Sequence, residues 1–107
     1  MTSIEERDKN PQKNEGAFLP CVLLKRKDIS IQAKVVYAKL TQFLDEETLL
    51  ACPLAKTLAA SLSMSEKSVR RRLSELKKAG VIDWKQRGLG QSNVYWFLPL
   101  AEYKVGD

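Results

Sequence analysis

The sequence predicts an α+β, mainly α fold: three helices closed by a C-terminal β-hairpin, with residues 48–52 able to add a short first strand. Three observations carry this expectation. Apolar residues recur at helical spacing over three successive stretches between Ile31 and Ala79. After Gly80 the pattern changes to two short runs rich in β-branched and aromatic residues. A glycine-bearing segment, GLGQS (88–92), separates those runs and suits the loop of a hairpin.

The first helix starts after Ser30, whose hydroxyl can accept from the unpaired amides of the first turn. Val35, Val36, Tyr37, Leu40, Phe43 and Leu44 then keep helical spacing, and DEE (45–47) breaks the pattern near Asp45. Residues 48–52, TLLAC, supply the short strand. A second helix runs from Pro53 to about Leu62, since proline is tolerated in a first turn where amides lack intrahelical acceptors. Leu54, Leu58 and Leu62 repeat every four residues, and Ala55, Ala59 and Ala60 allow close approach of another helix. Residues 63–65, SMS, make a tight link in which Ser65 is the next N-cap. The third helix extends to about Ala79 and closes on Gly80, the residue best suited to a left-handed C′ position.

The hairpin strands are VIDWKQR (81–87) and NVYWFLPL (93–100). Strand alternation puts Ile82 and Trp84 on one face, and Val94, Trp96 and Leu98 on a common face opposite Tyr95 and Phe97. A hairpin in one small core cannot bury both faces. Trp84 is expected in the core and the side taken by Trp96 is open.

Upstream, AFLPCVLL (17–24) is an apolar run broken by Pro20, which argues for an extended arm packed on the core rather than a central strand. Residues 1–16 are polar and charged and read as a flexible N-terminal tail, with 101–107 a short C-terminal tail. The domain proper is 17–100.

Composition narrows the function classes. With 44% hydrophobic residues in 107, the chain can bury one modest core rather than remain disordered. No apolar run reaches membrane-spanning length and no signal-peptide order opens the chain, so no membrane partner is expected and the default compartment is cytoplasmic. There is no histidine. Cys21 and Cys52 lie among apolar residues and are expected as buried free thiols, too few for a zinc site. GLG (88–90) lacks the third glycine and the following helix of a nucleotide-binding loop. No nucleophile–base set stands out, so neither enzymatic activity, nor a cofactor, metal or small-molecule ligand is expected.

The placement of charge is more telling than its net value of +5. Between Met64 and Arg87 stand eight basic and three acidic residues, while the rest of the chain is balanced at ten of each. Such concentration suits a polyanionic partner. Helix, short strand, helix, tight link, helix and hairpin is the order of a winged helix-turn-helix. On a helical wheel Val69, Leu73 and Leu76 share one face, and Lys67, Arg71, Ser74 and Lys78 the opposite one. Arg70 and Lys77 flank one side, and Arg72 lies at the core boundary. A basic helix face is ordinarily just solvated; the tight link before this one and the hairpin after it favour a helix lying in the major groove of DNA.

The stretch LAASLSMSEKSVRRRL (58–73) resembles the helix-turn-helix core of winged-helix domains in plasmid and phage replication proteins and in many bacterial regulators. Leu58, Ala59, Leu62, Ser65, Ser68, Val69 and Leu73 stand at the family's positions. Upstream, 18–40 is similar to its opening arm and first helix, notably Ile29, Ser30, Ala33, Lys34, Tyr37 and Leu40. Downstream, Asn93 and Tyr95 match the asparagine and tyrosine that follow the wing. About 80 residues are covered. Two departures stand out. Ser63 replaces a usual glycine, which costs on the order of 1 kcal/mol if its φ is positive. Leu89 replaces a basic residue common at the wing tip.

The expected function is therefore double-stranded DNA binding, with 65–79 as recognition helix and the wing, 87–93, on the backbone. Ser65, Lys67, Ser68, Arg70, Arg71 and Ser74 would face the groove. Lys78, Lys85, Arg87, Gln91 and Ser92 would meet phosphates or the minor groove. Settings consistent with the resemblance are replication, partition or transfer of a mobile element, or transcriptional regulation. The alternative is a winged-helix protein–protein interaction module that docks through its aromatic hairpin. A homodimer would have to use the hairpin or the N-terminal arm, and a monomer is equally compatible.

Overall fold

The computed structural model describes residues 17–100; the two tails lie outside the described residues. The described chain is a winged helix-turn-helix: four helices and one antiparallel hairpin. These are α1 (Cys21–Lys25), α2 (Ile31–Thr41), α3 (Ala55–Leu62), α4 (Glu66–Lys78), β1 (Ile82–Lys85) and β2 (Val94–Phe97). The three long helices pack on one another, and α4 leads directly into the hairpin. Leu23, Val36, Leu40, Leu58, Val69, Leu76, Val81 and Ile82 form the fully buried centre.

The expected extended arm is instead a one-turn helix, α1. Pro20 stays extended (φ −60, ψ 145) and its carbonyl accepts from Leu24 N at 2.9 Å, closing the turn. One turn is the length that carries Leu23 inward to zero exposure. Cys21, two residues earlier and so about 200° around the helix, faces solvent. The expectation of buried thiols fails at Cys52 too. Ala51 is buried and paired with Tyr95, so period-2 alternation turns its neighbour outward.

Ser30 caps α2 as its sequence predicts, accepting from Ala33 N at 3.2 Å. The helix ends at Thr41, short of the expected Asp45, because tighter turns take over: Phe43 N donates to Leu40 O and Leu44 N to Thr41 O. The expected strand at 48–52 shrinks to single-residue bridges, Leu44 to Ala51 and Ala51 to Tyr95. Ala51 and Tyr95 exchange two backbone hydrogen bonds (2.9 and 2.8 Å), fastening this segment to the free edge of β2. Leu49, at φ 61, turns the chain out of strand geometry before a ladder can lengthen.

Helix α3 starts at Ala55, two residues after Pro53, and ends at Ser63, which adopts the left-handed conformation (φ 56, ψ 42). Ser63 N donates to Ala59 O, and Met64 N reaches the same carbonyl at 3.0 Å. The glycine usual at this place would relieve the strain of a β-carbon at positive φ. Ser63→Gly is therefore expected to raise stability by about 0.5–1 kcal/mol, read as a higher urea midpoint at unchanged slope.

The hairpin register pairs Ile82 with Phe97, Asp83 with Trp96, Trp84 with Tyr95 and Lys85 with Val94. Ile82, Trp84, Tyr95 and Phe97 thus share the core face. Tyr37 of α2 meets Phe97 edge-on (ring centroids 5.1 Å), and Trp84 meets Tyr95 likewise at 5.6 Å. Trp96 takes the outer face, half-buried beside Val94 and Leu50.

Candidate nucleic-acid interface

The interface begins at the turn before α4. Left-handed Ser63 reverses the chain, and Ser65 Oγ then accepts from Ser68 N at 3.0 Å, starting the helix within three residues of the end of α3. Glu66 in the first turn and Lys77 and Lys78 in the last complement the helix dipole. Gly80, at φ 80, ends the helix with its amide on Lys77 O. Val69, Leu73 and Leu76 face the core as the wheel predicts.

The outer face of α4 presents Lys67, Arg70, Arg71, Ser74, Lys77 and Lys78, all exposed, with Ser68 half-buried beside them. The cations differ in how far other groups engage them. Arg70 Nη2 lies 3.1 Å from Glu66 Oε1, an exposed pair one helical turn apart. Lys77 Nζ sits 4.5 Å over the Trp84 ring and 3.3 Å from Asp83 Oδ1, which stitches the helix to β1. Among the described residues, Lys67, Arg71 and Lys78 make no hydrogen bond or ion pair. Arg71 therefore stands at the centre of this face with its whole guanidinium fork uncommitted.

Arg72 belongs to a different structure. Its Nη1 donates to Glu75 Oε1 at 3.1 Å, and its Nε is buried without a partner. Glu75 in turn accepts from Ser30 N (2.7 Å) and Ser30 Oγ (2.8 Å). Burial opposes the charge on Glu75, but Ser30's two hydrogen bonds and the Arg72 guanidinium outweigh it and hold the carboxyl below its ordinary range. This network ties the start of α2 to the middle of α4. Nothing in the local sequence announces it, since its ends lie 45 residues apart.

In the wing, Arg87 Nε donates to Ser92 O at 2.9 Å and its Nη2 to Ser92 Oγ at 2.8 Å. The two residues expected at the phosphate backbone thus close the loop between them. Gln91 is exposed, its amide on Gly88 O (3.3 Å), and Lys85 is exposed at the end of β1. Beyond the loop, Asn93 Nδ2 donates to the Tyr95 hydroxyl at 3.4 Å. Burial raises the Tyr95 phenol, while this hydrogen bond and the charge of Arg70 act the other way, so Arg70 lies within electrostatic reach of the strand. Lys77 against Trp84 and Asp83 likewise sets α4 beside the hairpin. An open groove on the outer sheet face is lined by Leu50, Lys85, Gln86, Arg87, Gln91, Val94 and Trp96.

Residues 27–82 match the model of the helix-turn-helix domain family, and the chain belongs to that family. Two solved structures share the fold. One, described as "Structure of Rep-DNA complex", has a chain that aligns with a TM-score of 0.67 at 16% identity, covering 94% of this chain and 85% of that one. Another, "N-Terminal domain of DNA binding protein", aligns with a TM-score of 0.59 at 17% identity, covering 90% and 80%. No curated protein sequence matches. Among the described residues, no helix is long and apolar enough to cross a membrane, and no cluster of side chains is suited to a metal ion.

Proposed function

We propose that this protein binds double-stranded DNA by laying α4 in the major groove. The observation that carries the reading is the outer face of α4, where Lys67, Arg71 and Lys78 project uncommitted from a helix whose other face is anchored in the core. Arg71 reads a base edge, its fork pairing with the two acceptors of guanine. Ser65, Lys67, Ser68, Arg70 and Ser74 line the groove around it. Lys78, Lys85, Arg87, Gln91 and Ser92 lie along the backbone. Of the settings open to such a protein, replication of a mobile element is favoured by the shared fold with the chain in the "Rep-DNA complex". The alternative, docking through an aromatic hairpin, is weakened by the register, which turns Trp84, Tyr95 and Phe97 inward and leaves only Trp96 outside.

The test is a salt-titrated gel shift on a duplex selected from a random pool, run beside an unselected duplex. About five phosphate contacts give a log–log salt slope near −4.5, or roughly 500-fold weaker binding at 200 mM than at 50 mM. Arg71→Ala is expected to weaken binding to the selected duplex by about 5- to 150-fold, and to the unselected duplex much less. Absence of retardation at low salt, or equal binding of the selected duplex by Arg71→Ala and wild type, overturns the proposal.

A further inference from the structure

The outer face of the hairpin carries a groove whose apolar lining has no part in the major-groove reading of α4. Strand alternation turns Lys85 of β1 and Val94 and Trp96 of β2 away from the core face of Trp84, Tyr95 and Phe97. A further wall comes from outside the hairpin. Ala51 is fastened to the edge of β2 by its two hydrogen bonds with Tyr95. Its neighbour Leu50, whose carbonyl accepts from Asp45 N at 2.9 Å, thereby reaches the outer face and joins the groove. The volume is about 610 Å³, within the ~300–1,000 Å³ of sites that hold a small organic group.

The lining joins two chemistries. Leu50, Val94 and Trp96 are apolar, Lys85 and Arg87 are cationic, and no acid lines the groove. Asp83 stands opposite Trp96 in the strand register but is held by Lys77. Among the described residues, Lys85 makes no hydrogen bond or ion pair. Arg87 is steadied by Ser92 through Nε and Nη2, which leaves Nη1 for another acceptor. The Gln91 side chain adds an amide able to donate and accept.

We propose that this groove binds single-stranded DNA, with an unpaired base stacked on Trp96 and the adjoining phosphates on Lys85 and Arg87. An unpaired strand exposes base faces and an anionic backbone together, which suits an aromatic side chain set beside cations. In a duplex the base faces are covered by their neighbours, so Trp96, Leu50 and Val94 would gain no apolar contact there. The choice of DNA over RNA rests on the reading of α4. Lys85, Arg87 and Gln91 serve both ligands, so a single strand and a duplex compete for them. Trp96 and Leu50 serve the single strand only.

The experiment measures the anisotropy of a fluorescein-labelled oligothymidine of about 15 nucleotides, beside the selected duplex and an oligouridine of equal length. Wild type is expected to bind the oligothymidine and to lose tryptophan emission as it does so. Two phosphate contacts give a log–log salt slope of about −1.4, and Lys85→Gln should reduce it by about 0.7. Trp96→Leu keeps an apolar outer residue but removes the ring. It should bind oligothymidine about 5- to 150-fold more weakly, while its wild-type affinity for the selected duplex reports an intact fold. Absence of oligothymidine binding, equal binding by Trp96→Leu and wild type, or tighter binding of oligouridine each overturns the proposal. None of these outcomes touches the reading of α4, which stands or falls on the selected duplex and Arg71.

Discussion

Leu76→Ala is expected to remove about 2–5 kcal/mol of folding stability, the largest effect of any single change considered. Leu76 has no solvent exposure and lies on the inner face of α4, among the fully buried residues at the centre of the core. Its backbone carbonyl accepts from Val81 N, so the same residue also ties the helix to the start of the hairpin. Truncation loses the transfer free energy of the removed carbons and leaves a cavity that three packed helices cannot fully close. In a domain whose total stability is of order 5–10 kcal/mol, such a loss takes a large share. Urea titration checks it: the midpoint should fall sharply at constant slope, and Leu76→Met, which nearly conserves volume, should cost under about 1.5 kcal/mol.

Glu75→Gln is expected to cost about 1.5–3 kcal/mol at neutral pH. The substitution keeps the shape but replaces a charge held by three donors with a neutral amide, and leaves Arg72 without its anion. Because the folded carboxyl titrates below its ordinary range, the stabilisation is fully present above the ordinary glutamate value of the unfolded chain. It is lost as pH falls through the lower folded value. The gap between wild type and Glu75→Gln should therefore narrow on acidification. Taking that difference removes the separate acid sensitivity of Asp28, whose carboxyl is held low by its Arg26 partner. A gap that stays constant from pH 7 to pH 3 would mean that the Ser30–Glu75–Arg72 network does not couple the charge to folding.

Helix α4 was legible because its determinants are local. Ser65 caps it, Gly80 ends it, and the spacing of Val69, Leu73 and Leu76 assigns its faces. The division of the three arginines follows from the same wheel: Arg71 outward, Arg70 on the flank and Arg72 at the core edge. Ser63 was readable as a strained turn because a resemblance supplied the glycine it replaces. What stayed hidden depends on contacts between distant segments. No local rule pairs Ser30 with Glu75, or Ala51 with Tyr95. Periodicity could not orient Cys21 or Cys52, because a five-residue helix and a one-residue bridge are too short to show a period. The hairpin's alternation was visible, yet which face met the core waited on the register that sets Trp84 against Tyr95. The Arg87–Ser92 closure was missed since both residues looked like independent phosphate contacts.

The stretch from Met64 to Arg87, which holds α4 and β1, carries a net +5 while the rest of the sequence balances to zero, so the charge is unevenly placed as well as in excess. A dipole in the field of a linear polyanion experiences a torque before it makes contact. If α4 is the face that meets the duplex, such a torque would turn that side forward, and a larger share of collisions would arrive in a productive orientation. Moving the same charges to the back of α2 would preserve the isoelectric point and the total attraction while discarding that alignment. Arrangement, more than amount, then governs how many encounters become complexes.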